Sequence, residues 1–118
     1  MLMKRLFSIV VLASLFAFAC TGDKTPAFET TVHVWGNNDK CKATIEKSCD
    51  LKGVSEAVWN VDSKLLKIKL DTAQISLNTV LEAVAKAGYD NEKFYADDYS
   101  YGALEPGCQY ERRPFDSK

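Results

Sequence analysis

The chain has 118 residues, 47% of them hydrophobic and 26% charged, with a formal net charge of −1. This length suits one domain, because a single hydrophobic core needs roughly 50 residues or more, and the composition argues against both a disordered chain and a membrane bundle. The 15 basic residues form no cluster, which excludes the basic surface that nucleic-acid binding requires.

The first 19 residues have the pattern of an export signal. Lys4 and Arg5 form a short basic region, and an apolar run of 14 residues follows from Leu6 to Ala19. As a helix this run would reach about 21 Å, short of the ~30 Å hydrocarbon core of a membrane. We therefore expect residues 1–19 to be a signal peptide.

Cys20 directly follows the small residue Ala19. This arrangement resembles the bacterial lipoprotein signal, in which the cysteine is acylated and becomes the mature N-terminus. Lipid chains contribute ~0.8 kcal/mol per buried methylene, so we expect a lipid anchor at Cys20 on the periplasmic side of a membrane, with residues 20–27 as a tether. Ala17 stands where the signal usually has Leu, Val or Ile, and ordinary cleavage to a soluble periplasmic or secreted protein is the alternative.

A strand and a helix are predicted next. Residues 28–35 alternate between the two faces at period two, as in a half-buried strand. Gly36 to Asp39 supply turn and N-cap chemistry, and apolar side chains then recur at helical spacing. This pattern predicts a helix from about Asp39 to Leu51, which Gly53 terminates.

The remaining elements complete a fold. Residues 54–61 and 65–70 flank a polar connector of hairpin length and predict two antiparallel strands. A second helix is expected between its N-cap Ser76 and Gly88, and residues 91–96 are expected to form a short last strand. This order predicts an α+β, ferredoxin-like βαββαβ sandwich, a four-stranded antiparallel sheet with two helices on one face.

Residues 34–46, 52–54 and 87–90 carry a resemblance to a known family. They look like the heavy-metal-associated domain of copper chaperones and mercury-binding proteins. The resemblance covers about residues 30–96 of a domain expected at residues 28–96. It implies a protein without catalytic activity that binds a soft metal ion and passes it to a partner protein. The sequence offers no Ser-His-Asp set or Gly-rich phosphate loop that would point to an enzyme instead.

In that family a Cys-x-x-Cys pair before the first helix holds Cu(I) or a similar ion. Here Cys41 aligns with the second cysteine and Asn38 with the first, and an amide oxygen is a poor substitute for a thiolate. The C-terminal extension, residues 97–118, resembles one in exported relatives, where cysteines approach the metal loop. The resemblance therefore implies Cys41 and Cys108 as ligands of Cu(I) or another soft metal ion.

Other roles for Cys41 and Cys108 remain open. The two cysteines would form a disulfide in an oxidising compartment, stabilising the fold by ~2–4 kcal/mol, or act as a reversible thiol redox pair. Alternatively, both thiols are inert in an interaction module that has lost its metal. Trp35 and Trp59 would then provide packing or a docking patch on the uncovered sheet face.

Two further residues are not expected to bind metal. Cys49 lies on the helix stripe that faces the sheet, which favours a role as a small buried hydrophobe. His33 alternates with its apolar neighbours and is expected on the open face of the sheet, away from the metal loop.

Overall fold

The structure is a computed structural model that describes residues 27–115. The expected signal peptide, Cys20 and all of the tether except Ala27 lie outside the described residues. Within residues 27–115, no helix is long and apolar enough to cross a membrane.

Alternating side chains build an antiparallel sheet from β1 (Phe28–His33), β2 (Val54–Trp59) and β3 (Leu65–Leu70). β3 lies in the centre and pairs with both neighbours, so the strand order is β1-β3-β2. Every second side chain of β3 is fully buried: Leu66, Ile68 and Leu70. The lysines between them lie on the opposite face, which leaves one side of the sheet polar.

Helix α1 (Asp39–Ser48) begins where the sequence predicts it. Its N-cap is Asn38, whose side-chain oxygen accepts hydrogen bonds from the backbone N–H groups of Lys40 and Cys41. The helix gives way to its C-cap at Cys49, earlier than the predicted end near Leu51. Its buried residues pack into the same core as the inward face of β3.

Helix α2 (Leu77–Lys86) confirms the second predicted helix. The hydroxyl of Ser76 caps it by accepting a hydrogen bond from the Thr79 N–H at 3.1 Å. Gly88 follows with a φ of +108°, a left-handed conformation that favours glycine. Four α2 side chains are buried in the core: Val80, Leu81, Val84 and Ala85.

The placement of Trp59 on the uncovered face is wrong. Trp59 is fully buried, and its indole N–H donates a hydrogen bond to the Val34 carbonyl at 3.0 Å. A register irregularity between Val54 and Glu56 inserts one extra residue in β2, so Trp59 pairs with the buried Leu66. A bulge of this kind moves every later side chain to the other face of the sheet.

The predicted fourth strand, residues 91–96, is wrong for the part of the chain that the structure describes: the sheet has three strands. Only an isolated bridge between Val34 and Asn91 remains. The Asn91 side-chain oxygen accepts hydrogen bonds from the N–H groups of Lys93 and Phe94, at 3.1 and 3.0 Å. This local bonding turns the backbone and competes with strand pairing.

The C-terminal extension, in its described part up to Phe115, folds back onto the domain, and residues 116–118 lie outside the described residues. It contains α3 (Asp98–Gly102) and a 3₁₀ turn (Pro106–Cys108). Cys108 and Tyr110 are buried and belong to the same core as the helices and the sheet. The extension is therefore part of the domain's packing.

Candidate functional site

Cys41 lies in the first turn of α1 and is fully buried. Burial opposes ionisation of its thiol. Hydrogen bonds from Cys108 and from the backbone N–H groups of Asn38 and Asn37 outweigh this effect, so the pKa of Cys41 is lowered. The helix N-terminus favours negative charge in the same place. Cys41 is therefore well suited to carry a thiolate.

Asn38 stands where the family resemblance places the first cysteine of the metal-binding pair. Its side-chain oxygen caps α1, with Lys40 N at 3.0 Å and Cys41 N at 3.4 Å. Its side-chain nitrogen donates a hydrogen bond to the Gly107 carbonyl at 2.9 Å. Both ends of the amide are thus engaged, one with the helix and the other with the C-terminal extension.

The extension brings Cys108 against Cys41. The two thiols lie close enough for each to influence the ionisation of the other, and neither forms a disulfide. Burial raises the pKa of Cys108, and donation of its proton to Cys41 raises it further. The pair therefore combines a readily ionised sulfur with one that keeps its proton until another charge replaces it.

Tyr89 is a third member of the site, to which sequence reasoning assigned no role. It is fully buried, and its hydroxyl makes no hydrogen bond of ordinary geometry. Burial raises the pKa of this hydroxyl, and the charges of Cys41 and Cys108 raise it further. The position of Tyr89 directly after the helix-ending Gly88, near the predicted metal loop, is the signal that could have identified it.

A surface groove of about 530 Å³ lies over Cys108 and Tyr89, with Lys40 and Glu105 also in its lining. Cys108 is only 3% exposed and Tyr89 is fully buried, so the groove ends above covered side chains. Within residues 27–115 no group of three or more His, Cys, Asp and Glu side chains converges. The candidate donors at this site are the two thiols of Cys41 and Cys108. Thiolates favour soft ions such as Cu(I) over hard ones such as Mg²⁺.

Cys49 and His33, which are not expected to bind metal, are not part of this pair. Cys49 is buried in the core as predicted, and burial raises its pKa to about 11. His33 stacks on Trp35 with ring centroids 3.7 Å apart, and burial lowers its pKa. Neither residue is a neighbour of the Cys41 thiol that affects its ionisation.

Several solved structures are similar to this chain, including the three described next. The CopZ metallochaperone is 21% identical with a TM-score of 0.53, over 54% of this chain and 98% of that one. A ZiaAN sub mutant is 32% identical with a TM-score of 0.49, over 56% of this chain and 96% of that one. The N-terminal domain of the zinc(II) ATPase ZiaA, in its apo form, is 29% identical with a TM-score of 0.49, over 79% of this chain and 82% of that one.

The family profile named heavy-metal-associated domain matches residues 39–90. This range includes Cys41 and Tyr89 and ends before Cys108, so the second thiol lies outside the matched segment. A comparison with curated proteins gave no match. The profile match identifies residues 39–90 as a heavy-metal-associated domain.

Proposed function

We propose that this protein binds one soft metal ion, Cu(I) in first place, between the thiolates of Cys41 and Cys108 and transfers it to a partner protein. The contact between these two thiols is the observation that carries the proposal. Family membership supports metal binding as the general role. Thiolate donors favour soft ions, which makes Cu(I) a reasonable first choice.

The chemistry follows from the two thiol environments. Cys41, with its lowered pKa, supplies the first thiolate, and the charge of the incoming ion displaces the proton that Cys108 retains. Metal binding by thiols releases protons in this way. A partner's thiolate then replaces one of the two sulfurs, and the ion moves by ligand exchange without a catalytic step.

We further propose that acylation of Cys20 anchors the protein at the periplasmic face of a bacterial membrane. The apolar run that ends at this cysteine supports the proposal. Cys20→Ala is expected to move the protein from the membrane fraction to the soluble fraction. Retention of the variant in the membrane fraction would contradict a lipid anchor at this residue.

An anaerobic Cu(I) titration against a competing chromophoric chelator tests the metal proposal. We expect the chain from Thr21 onward to bind one Cu(I) per molecule, and Cys41→Ala and Cys108→Ala each to weaken binding by at least a hundredfold. Cys49→Ala is the matched control and is expected to bind as the wild type does. Unchanged affinity in Cys108→Ala would contradict the proposed site.

The contact between the thiols also favours a second candidate function, a reversible disulfide between Cys41 and Cys108. A disulfide such as oxidised glutathione would accept two electrons and the two thiol protons as the bond forms. Equilibration with glutathione buffers, followed by mass spectrometry, measures this exchange. A loss of 2 Da that Cys108→Ala abolishes would support the redox candidate, and a chain that stays reduced in every buffer would exclude it.

A further inference from the structure

Cys108 depends for its position on the segment that carries it. Cys41 is fixed by the first turn of α1 and has no exposed surface. Cys108 lies in a 3₁₀ turn outside the sheet and is 3% exposed. Since no strand pairing secures this segment, its attachment to the domain decides whether the two thiols remain covered.

Polar contacts fasten the extension on both sides of the thiol. On one side, the Gly107 carbonyl accepts a hydrogen bond from the Asn38 side chain at 2.9 Å. On the other side lies Tyr110, which is 2% exposed. Its hydroxyl accepts a hydrogen bond from the Asp90 N–H at 2.7 Å and donates one to the Gly88 carbonyl at 2.8 Å.

Arg112 adds a charged contact to the same segment. Its guanidinium donates two hydrogen bonds to the fully buried carboxylate of Asp90, at 2.7 and 3.0 Å. A third hydrogen bond, at 2.9 Å, reaches the exposed Asp98. Separation of the extension from the domain would break this two-pronged, charge-assisted pair with Asp90, a strong kind of hydrogen bond. The closed arrangement is therefore the stable one.

These contacts meet next to the site. Asp90 follows Tyr89, whose hydroxyl is in electrostatic contact with both thiols. Tyr110 and Arg112 follow Cys108 closely in the chain. The contacts between the domain and the extension thus lie within a few residues of Tyr89 in the domain and of Cys108 in the extension. Release of these contacts would therefore free the segment that carries Cys108.

We infer that Asp90, Tyr110 and Arg112 form a latch that holds Cys108 against Cys41, and that an incoming thiol reaches the pair only when this latch opens. The inference rests on the proposed function in one respect: the incoming thiol would belong to the partner that accepts the metal. The three residues are positioning residues, because they act on the metal through the placement of Cys108.

Alkylation of the metal-free, reduced protein by N-ethylmaleimide, followed residue by residue with mass spectrometry, tests the latch. Tyr110→Phe keeps the ring and leaves the Asp90 N–H and the Gly88 carbonyl without their partner. We expect it to increase the alkylation rate of Cys108 by tenfold or more, because an unsatisfied buried polar group disfavours the closed state. Arg112→Gln is expected to act in the same direction.

The control variant is Tyr99→Phe, the same chemical change at a tyrosine that is 84% exposed, and it is expected to leave all rates unchanged. Cys49 reports global unfolding within the same molecule. The latch is supported if Cys108 reacts faster while Cys49 does not. It is overturned if Tyr110→Phe and Arg112→Gln leave the Cys108 rate unchanged, or if the Cys49 rate rises in parallel.

A second measurement separates the latch from the metal proposal. In Tyr110→Phe, Cu(I) is expected to pass to a chelator faster by a factor similar to that seen for alkylation. A wild-type chain that binds no Cu(I) would contradict the proposed function. The alkylation rates decide whether the latch exists in either case, because they are measured without metal.

Discussion

Asn38 carries two structural tasks at the candidate site. Its side-chain oxygen caps α1, and its side-chain nitrogen binds the Gly107 carbonyl of the extension. A cysteine at this position would supply a thiolate but neither of these hydrogen bonds. Asn38 therefore anchors the segment bearing Cys108, at the position where the family resemblance implies a cysteine.

Asn38→Ala is predicted to reduce the free energy of unfolding by about 1 kcal/mol from the lost cap, with a further loss from the contact with the extension. Asn37→Ala is the matched control, because the Asn37 side chain reaches the Gly107 carbonyl only at 3.5 Å. We expect urea denaturation to show a much smaller loss for the control. Equal losses in the two variants would argue against the assigned role.

Cys49 predicts a dependence of stability on alkaline pH. Burial raises its pKa in the folded protein to about 11, from an ordinary value of 9.0. Because the folded pKa is the higher one, this contribution is fully present below pH 9 and is lost as the pH rises toward 11. We expect a loss on the order of 2 kcal/mol by pH 10.5 from this group alone.

The measurement is urea denaturation of the wild type and Cys49→Ala at pH 8 and pH 10.5. The variant is expected to be less stable at pH 8, because it leaves a small cavity. It should then lose about 2 kcal/mol less than the wild type between the two pH values, since tyrosines and lysines titrate alike in both proteins. Parallel losses would mean that the Cys49 thiol ionises as easily in the folded state as in the unfolded state.

At the residue scale, the sequence identified the two thiols that the structure brings together. Cys41 could be placed at a helix N-terminus from the N-cap residues before it, and Cys108 from the resemblance of the extension. The contact between them could not be derived from pattern, because it depends on long-range bonds such as that of Tyr110 to Gly88. The role of Tyr89 could not be predicted either, because it also depends on long-range contacts.

At the scale of elements, local sequence signals predicted the ends of those helices and strands that local bonding determines. The Ser76 cap and the left-handed Gly88 bound α2 as expected, and β3 has the predicted ends. The bulge in β2 lies outside such patterns, because it depends on pairing with β3. The turn at Asn91 is local, but it competes with strand pairing, and the alternation of residues does not show which of the two prevails. The bulge explains why the predicted face of Trp59 is wrong. The turn explains why the predicted last strand is wrong.

Gly88→Ala is predicted to disturb α2 and the extension together. The backbone has a φ of +108°, and an added Cβ would lie 2.8 Å from the Ser100 carbonyl oxygen and 2.9 Å from the Leu104 side chain. We expect a loss of more than about 1 kcal/mol from backbone strain alone, measured by thermal and urea unfolding.

Gly102→Ala is the control for this prediction. Gly102 is the last residue of α3, and an added Cβ there meets no atom within 4 Å. Its stability is expected to equal or slightly exceed that of the wild type, because alanine favours the helix. Comparable destabilisation by both variants would show that the close approach at Gly88 has no special cost.

At the scale of the whole molecule, the extension supplies the second thiol of the candidate site. The family profile ends at residue 90, and beyond it the chain returns to place Cys108 on Cys41 and Arg112 on Asp90. Under the proposed function, the loop supplies one thiolate, from Cys41, and the C-terminal segment supplies the other. The same segment covers the pair, so binding and release of a metal would depend on its attachment.

The most direct test of a metal site between Cys41 and Cys108 is X-ray absorption spectroscopy of the Cu(I)-loaded protein. We predict two sulfur neighbours at about 2.2–2.3 Å in the wild type, one in Cys108→Ala, and two again in Cys49→Ala. A single sulfur ligand in the wild type, or two that persist without Cys108, would contradict the account.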